Sequence, residues 1–358
     1  MFCVLTIASI LAVSGALMPA TVSAVQPERL GQQSFLKRTV YGDGQLWVLS
    51  DAGQLSAIRE GNDVSVRESL PEPALDLCAQ NDRPVIATCS KNPCDKWTLR
   101  RKAEGQWIIE ATIPTEHDRL VAMNCSEKAI MLLTSRRLID VTGNSQASTA
   151  LSDELPPSLV ASTLVTTGSV FVGLNRGEWG GGLRRIDRRT GKITTIEKNE
   201  TGALCGGPLN TNCDPVHGIA IIPWKPTCAV AAVGLIHFLS HGRLVEVCSD
   251  GVRVLYEKPY ERSELGSGRG TNFNSVAFFG IANVGKSLWA VGMDGLYDIK
   301  EETVQSRSMP QYKEVEGIFV SFDLPEFVLV LTNINQRLSV SGSSPILVPR
   351  RPSHAYEK

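Results

Sequence analysis

Seven short runs of consecutive apolar residues punctuate the chain: Leu46–Leu49, Val85–Thr88, Ile130–Leu133, Val170–Gly173, Ala229–Val233, Leu288–Val291 and Val328–Leu331. Each is bounded by Gly, Asn, Asp or Pro, so each predicts a short strand between turns. None alternates apolar with polar. A strand that is apolar on both faces is buried between two packed layers, not laid against one. Nowhere does a capped stretch carry a stripe at the 3.6-residue helical period. The second residues of the runs, Trp47, Ile86, Met131, Phe171, Val230, Trp289 and Leu329, recur at steps of about 40 residues, widening to about 59 at two of them. Such a period, interrupted by insertions, predicts a repeat of small sheets.

Most runs lead through a turn into further strands. Trp47 leads into Asp51–Ile58, Met131 into Ser135–Val141 and Trp289 into Met293–Ile299. Two neighbouring repeats align in detail. Val172-Gly-Leu174 and Val233-Gly-Leu235 end their runs, Leu183 and Leu244 follow at one offset, and Thr190-Gly191 and Asp250-Gly251 make the next turns. The intervening segments, 175–182 and 236–243, are therefore corresponding loops. Four-stranded sheets repeated radially leave only short, protected edges. The expected fold is an all-β, seven-bladed β-propeller, with six or eight blades or a pair of β-sandwiches as alternatives. Closure of the last blade is expected from the strand near 35–40.

Leu288-Trp-Ala-Val-Gly-Met-Asp-Gly-Leu-Tyr297 and Leu46-Trp-Val-Leu-Ser-Asp-Ala-Gly-Gln-Leu55 resemble the repeat of two-component-regulator propellers. The chain as a whole resembles bacterial exported seven-bladed propellers. The resemblance covers two blades well and implies a fold, not an activity.

Residues 1–24 read as a secretory signal. Val4–Met18 is apolar and Val22-Ser-Ala24 is a small-residue cleavage site, although no Lys or Arg precedes the apolar run. A single propeller domain is then expected over 25–350, with a disordered polar tail over 351–358. The chain is read as exported, periplasmic or extracellular, and monomeric. No later run approaches the length of a membrane span.

The cysteines agree with export. Eight remain after Cys3, an even number without the spacing of a zinc knuckle. The expected pairs are Cys89 with Cys94 across a hairpin, Cys205 with Cys213 in a loop, Cys228 with Cys248 within a sheet, and Cys78 with Cys125 between neighbouring sheets. Asn124-Cys-Ser126 and Asn199-Glu-Thr201 match the glycosylation acceptor pattern of a eukaryotic secretory pathway. Net charge is −1 over 358 residues, which gives no support for nucleic acid as a partner.

The two wide steps place enlarged loops at 175–182, 198–216, 236–242 and 259–275. In a propeller the loops joining second to third strands share one face with the connections between blades, so a site is expected on that face of blades four to six. Asn175, Arg176, Glu178 and Trp179 lie in the first loop, where Trp179 could stack on a ligand and Glu178 could act as acid or base. Asp214 and His217 begin the inner strand of the fifth blade, and Asn272 and Asn274, with Ser275, that of the sixth. His217 and Glu178 are the candidate catalytic pair. His217, His237 and His241 are candidate ligands for a divalent metal, and no other cofactor is expected. No nucleophile elbow or phosphate-binding loop is present. The leading expectation is a binding or scaffold propeller for a glycan, peptide or protein. The alternative is a propeller lyase or hydrolase using an acid–base pair, with or without a metal.

Overall fold

The computed structural model describes residues 36–59, 65–90, 93–199, 202, 205–236, 240–260, 275–308, 318–325, 327–332 and 344–349. These form seven antiparallel sheets in chain order, six of four strands and a seventh of three. In every sheet spatial order follows sequence order. The seven apolar runs are the second strands of the seven sheets, from Gln45–Ser50 in the first to Phe327–Thr332 in the last. The innermost strands are Leu36–Gly42, Ala74–Gln80, Leu120–Cys125, Val160–Val165, Val216–Ile222, Phe278–Val284 and Ile318–Ser321. Together they enclose an axial channel of about 550 Å³ to which all seven contribute. This is a β-propeller.

The two-faced hydrophobicity of the second strands has a direct cause. A strand sends alternate side chains to opposite faces, and in a propeller each face meets a different neighbour. Trp47 and Leu49 pack with Leu77 and Ile86 of the second blade. Leu46 and Val48 pack the other way, against Leu329 of the seventh. Ile130 and Leu132 join the core between blades two and three, whereas Met131 and Leu133 join that between three and four. Further buried clusters fill the junctions of blades four with five, five with six, and six with seven.

Among the described residues the first and last sheets meet by face-to-face packing. The strand at 36–42, expected to complete the last blade, pairs instead with 45–50 of its own sheet. The junction of blades seven and one is sealed by Leu46, Val48 and Leu329, and Thr39 Oγ1 donates to Asp323 Oδ2 at 3.2 Å. A second correction concerns the fifth blade. Its central strands run through Lys225–Ile236 and Ser240–Cys248, so residues 236 and 240–242 of the expected loop belong to strands. Gly242 permits this. A Cβ there would lie 2.5 Å from Ala277 Cα and 2.5 Å from Val276 O, so the strand continues against the next blade only because the side chain is absent. Likewise the inner strand of the sixth blade starts at Phe278, after Ser275 and not at it. Asn272 and Asn274 lie outside the described residues, as do His237, the signal-like residues 1–24 and the tail 351–358.

One irregularity recurs. The inner strands of the first six sheets each carry a register shift near their first residue, leaving Lys37, Leu75, Val121, Ala161, His217 and Phe279 without a cross-strand partner. These are β-bulges at one level of the ring, and a bulge re-aims the side chain it inserts. Five of the six, all but Leu75, line the channel.

The eight cysteines form four disulfides: Cys78–Cys125, Cys89–Cys94, Cys205–Cys213 and Cys228–Cys248. These are the pairs expected from the sequence. Cys78–Cys125 joins the inner strands of blades two and three, and Cys228–Cys248 joins adjacent strands of the fifth.

Candidate functional site

The glycine-rich loop of the fourth blade bends around the chain itself. Residues Gly177–Trp179 form one 3-10 turn, entered by an Asx turn in which Gly177 N donates to Asn175 Oδ1 at 2.8 Å. Arg176 N donates to Gly180 O at 2.8 Å and closes the loop. Beyond the turn, Gly181 N donates to Thr211 O and Gly182 N to Asp214 O, each at 2.8 Å. Gly180 has φ +76°, and a Cβ on it would fall 2.3 Å from Thr211 O. The glycines thus seat the loop on residues 211–214, and the Cys205–Cys213 disulfide closes the segment that carries them. The result is a rigid platform whose outward residues are Arg176, Glu178 and Trp179, all exposed. Trp179 is 68% exposed, the largest fraction among the exposed large hydrophobic residues.

Asp214 belongs to the foundation of that platform and not to its surface. Its side chain is fully buried. Oδ2 accepts from Arg243 Nη2 at 2.6 Å and from the Asn210 backbone N–H at 2.6 Å, while Oδ1 lies 2.9 Å from His241 Nε2. Arg243 also donates to the carbonyls of Pro208 and Gly207. It is itself 4% exposed, so the loop carbonyls and the carboxylate together satisfy a buried guanidinium. His241 Nε2 is 3.0 Å from Arg243 Nη1 as well. One nitrogen cannot donate to the carboxylate and accept from the guanidinium at once, and the nearer Asp214 carboxylate favours the Nε2–H tautomer. The sequence drew attention to Asp214 and His241 separately. Arg243, which unites them, carried no signal because Arg within a strand is ordinary.

His217 takes the expected position on the channel wall, at the bulge of its strand. Its Nε2 donates to Gly234 O at 2.7 Å and its ring meets Phe279 edge-on, with centroids 5.3 Å apart. Burial holds its pKa below the ordinary histidine value, opposed by the Gly234 bond. The ring is therefore neutral at pH 7, with Nδ1 as its remaining acceptor. Glu178, its expected catalytic companion, stands on the 3-10 turn of the fourth blade's outer loop.

Of the three candidate metal-binding histidines, His237 lies outside the described residues, while His217 Nε2 bonds to Gly234 O and His241 Nε2 to Asp214. The one grouping of metal-ligand atoms among the described residues is Cys228, Glu246 and Cys248. It is a disulfide beside a carboxylate that is already paired with Lys225 and Arg253, so its sulfurs are not available as thiolates. Asn124 of the first glycosylation pattern lies on an inner strand, where its Oδ1 accepts from Thr163 Oγ1 at 3.1 Å. A glycan cannot be carried there in the folded chain.

No protein-family model and no curated protein matches the sequence. Among solved structures the chain is similar to YCF48 bound to D1 peptide, at 12% identity, 91% coverage of this chain and 95% of that chain, with a TM-score of 0.57. It also matches the extracellular domain of BT4673 from B. thetaiotaomicron at 14% identity and a TM-score of 0.48. There it covers 88% of this chain and spans only 38% of the other. Sqt1 of Saccharomyces cerevisiae matches at 10% identity over 89% of this chain and 97% of that one, with a TM-score of 0.48. The shared property is the propeller fold.

Proposed function

We propose that this protein is an exported binding propeller that engages a polypeptide partner through the Trp179 platform on the loop face of blades four and five. The observation that carries the reading is the 68% exposure of Trp179 on a loop whose backbone is bonded at both ends. A large aromatic ring held out by a pre-ordered loop loses little conformational freedom on binding, and Trp is among the residues that most often dominate interface energy. Arg176 and Glu178 beside it supply a polar rim. Four disulfides support an oxidising compartment. The similar propeller YCF48, in its structure, is bound to D1 peptide, an occupant of the class proposed here.

The test is capture on an array of extended peptides and, in parallel, on a glycan array, with labelled wild type and Trp179→Ala. The reading expects peptide capture that falls at least about tenfold in the variant while the melting temperature stays unchanged. Equal capture by both proteins would remove the platform from the site, and capture confined to glycans would replace the partner class.

A further inference from the structure

Charge is not spread evenly over the seven sheets. Between Val160 and Ile196 the fourth sheet carries six cations, Arg176, Arg184, Arg185, Arg188, Arg189 and Lys192, against two carboxylates, Glu178 and Asp187. In no other sheet do cations outnumber carboxylates by more than one, and the whole chain has a net charge of −1. Elsewhere the cations of the blades are neutralised in place: Arg38 pairs with Asp76, Arg100 with Glu72 and Arg137 with Asp118. In the fourth sheet only Arg188 has such a partner among the described residues, Asp140 of the third. Asp187 is spent on its own turn, where Oδ1 accepts from Arg189 N at 3.1 Å and from Thr190 N and Oγ1 at 2.8 Å. Arg176, Arg185, Arg189 and Lys192 are exposed, and Arg184 Nη1 is buried without a hydrogen-bond partner. Like charges gathered without counter-charges repel one another and cost stability, so the sheet is suited to a partner that neutralises them.

The layout of these cations follows the chain. Arg176 stands at the head of the Trp179 turn. The strand Gly181–Asp187 runs away from that turn and carries Arg184 and Arg185. Arg189 and Lys192 lie in the turn beyond its far end. Seven extended residues span about 20 Å, and Arg184 and Arg185 project to opposite faces of the strand. The row therefore flanks the outer edge of the sheet, where the last strand, Ile193–Ile196, exposes only Thr194 and Thr195.

We propose that the partner of this propeller is an extended acidic polypeptide segment. One of its apolar side chains rests on Trp179, and the carboxylates of about six neighbouring residues meet Arg185, Arg189 and Lys192 along the edge of the fourth sheet. This rests on the reading of the Trp179 platform and adds the charge of its partner, since complementary potential is what selects among partners. Nucleic acid is the competing polyanion. Single strands are held by successive aromatic faces, whereas Trp179 is the one exposed aromatic among the described residues of the sheet and has Glu178 beside it.

The test uses three sets of extended peptides that share Leu and Trp anchors and carry Glu, Gln or Lys at the remaining positions. Oligothymidylate is the nucleic-acid probe, and binding to the oxidised full chain is read by fluorescence anisotropy. The Glu set should bind at least about tenfold more tightly than the Gln set, and more weakly as salt is raised. Arg185→Glu combined with Lys192→Glu, both at exposed side chains, should lose at least about tenfold for the Glu set and gain the Lys set. A merely structural role would not produce that exchange. No binding of the Glu set, equal binding of the Gln set, or a double variant that keeps its preference for Glu would overturn the inference, while Trp179-dependent capture of neutral peptides would still stand. Tighter binding of oligothymidylate than of every Glu peptide would overturn it too. Glu-peptide binding that is lost in the double variant but unchanged in Trp179→Ala would support the acidic partner and remove the platform instead.

Discussion

Substituting Asp214 by Ala tests whether the platform rests on its buried ion cluster. The carboxylate holds Arg243, His241 and the Asn210 N–H at 2.6–2.9 Å, and it is fully buried beside an Arg243 that is 4% exposed. Removing it leaves a guanidinium in the interior without its counter-charge. Breaking a buried pair from one side costs about 3–5 kcal/mol, a large part of the roughly 5–15 kcal/mol by which a domain is stable. Equilibrium urea unfolding of the oxidised protein, followed by tryptophan fluorescence, measures the loss as a lower midpoint at unchanged slope. Asp214→Leu combined with Arg243→Met removes both charges and should recover more than half of it, because most of the single-variant cost is the stranded cation. A loss below about 1 kcal/mol in Asp214→Ala would refute the reasoning, since only a solvated pair is so weak.

Two further predictions concern the channel wall and the disulfides. Because burial lowers the His217 pKa in the folded state, its stabilising contribution is complete above the unfolded value of about 6.5 and is lost as pH falls through the folded value. Melting temperature against pH should therefore decline less steeply below about pH 6.5 in His217→Leu than in wild type, and parallel profiles would show that the ring is solvated. Cys78–Cys125 spans 47 residues and Cys89–Cys94 spans 5. Replacing the first pair by Ala should cost about 4 kcal/mol and the second about 2 kcal/mol on the chain-entropy account; equal or inverted costs, or free thiols in the unreduced protein by mass spectrometry, would contradict it.

The sequence alone determined the strand content and the repeat, because each is written in local pattern, whereas a pair such as Cys78–Cys125, 47 residues apart on two sheets, is decided only when the blades pack. The runs around Trp47, Ile86 and Met131 are apolar on both faces, and only a strand between two blades requires that. Gly, Asn and Asp at the turns fixed where each sheet folds back. The position of His217 at the head of an inner strand was legible for the same reason. What the glycines of 180–182 contact was not legible. A glycine records that space is tight, not whether a ligand or the chain fills it, and here Thr211–Asp214 does. Nor could the sequence reveal that Asp214, His241 and Arg243 form one buried cluster, since the segment entering the fifth sheet meets the third strand of that sheet only once the sheet has folded. The ring of bulges likewise belongs to the tertiary structure. A bulge is a mismatch between paired strands, so it exists only once the pairing partner is chosen, and that choice turned Lys37 and Phe279 into the channel.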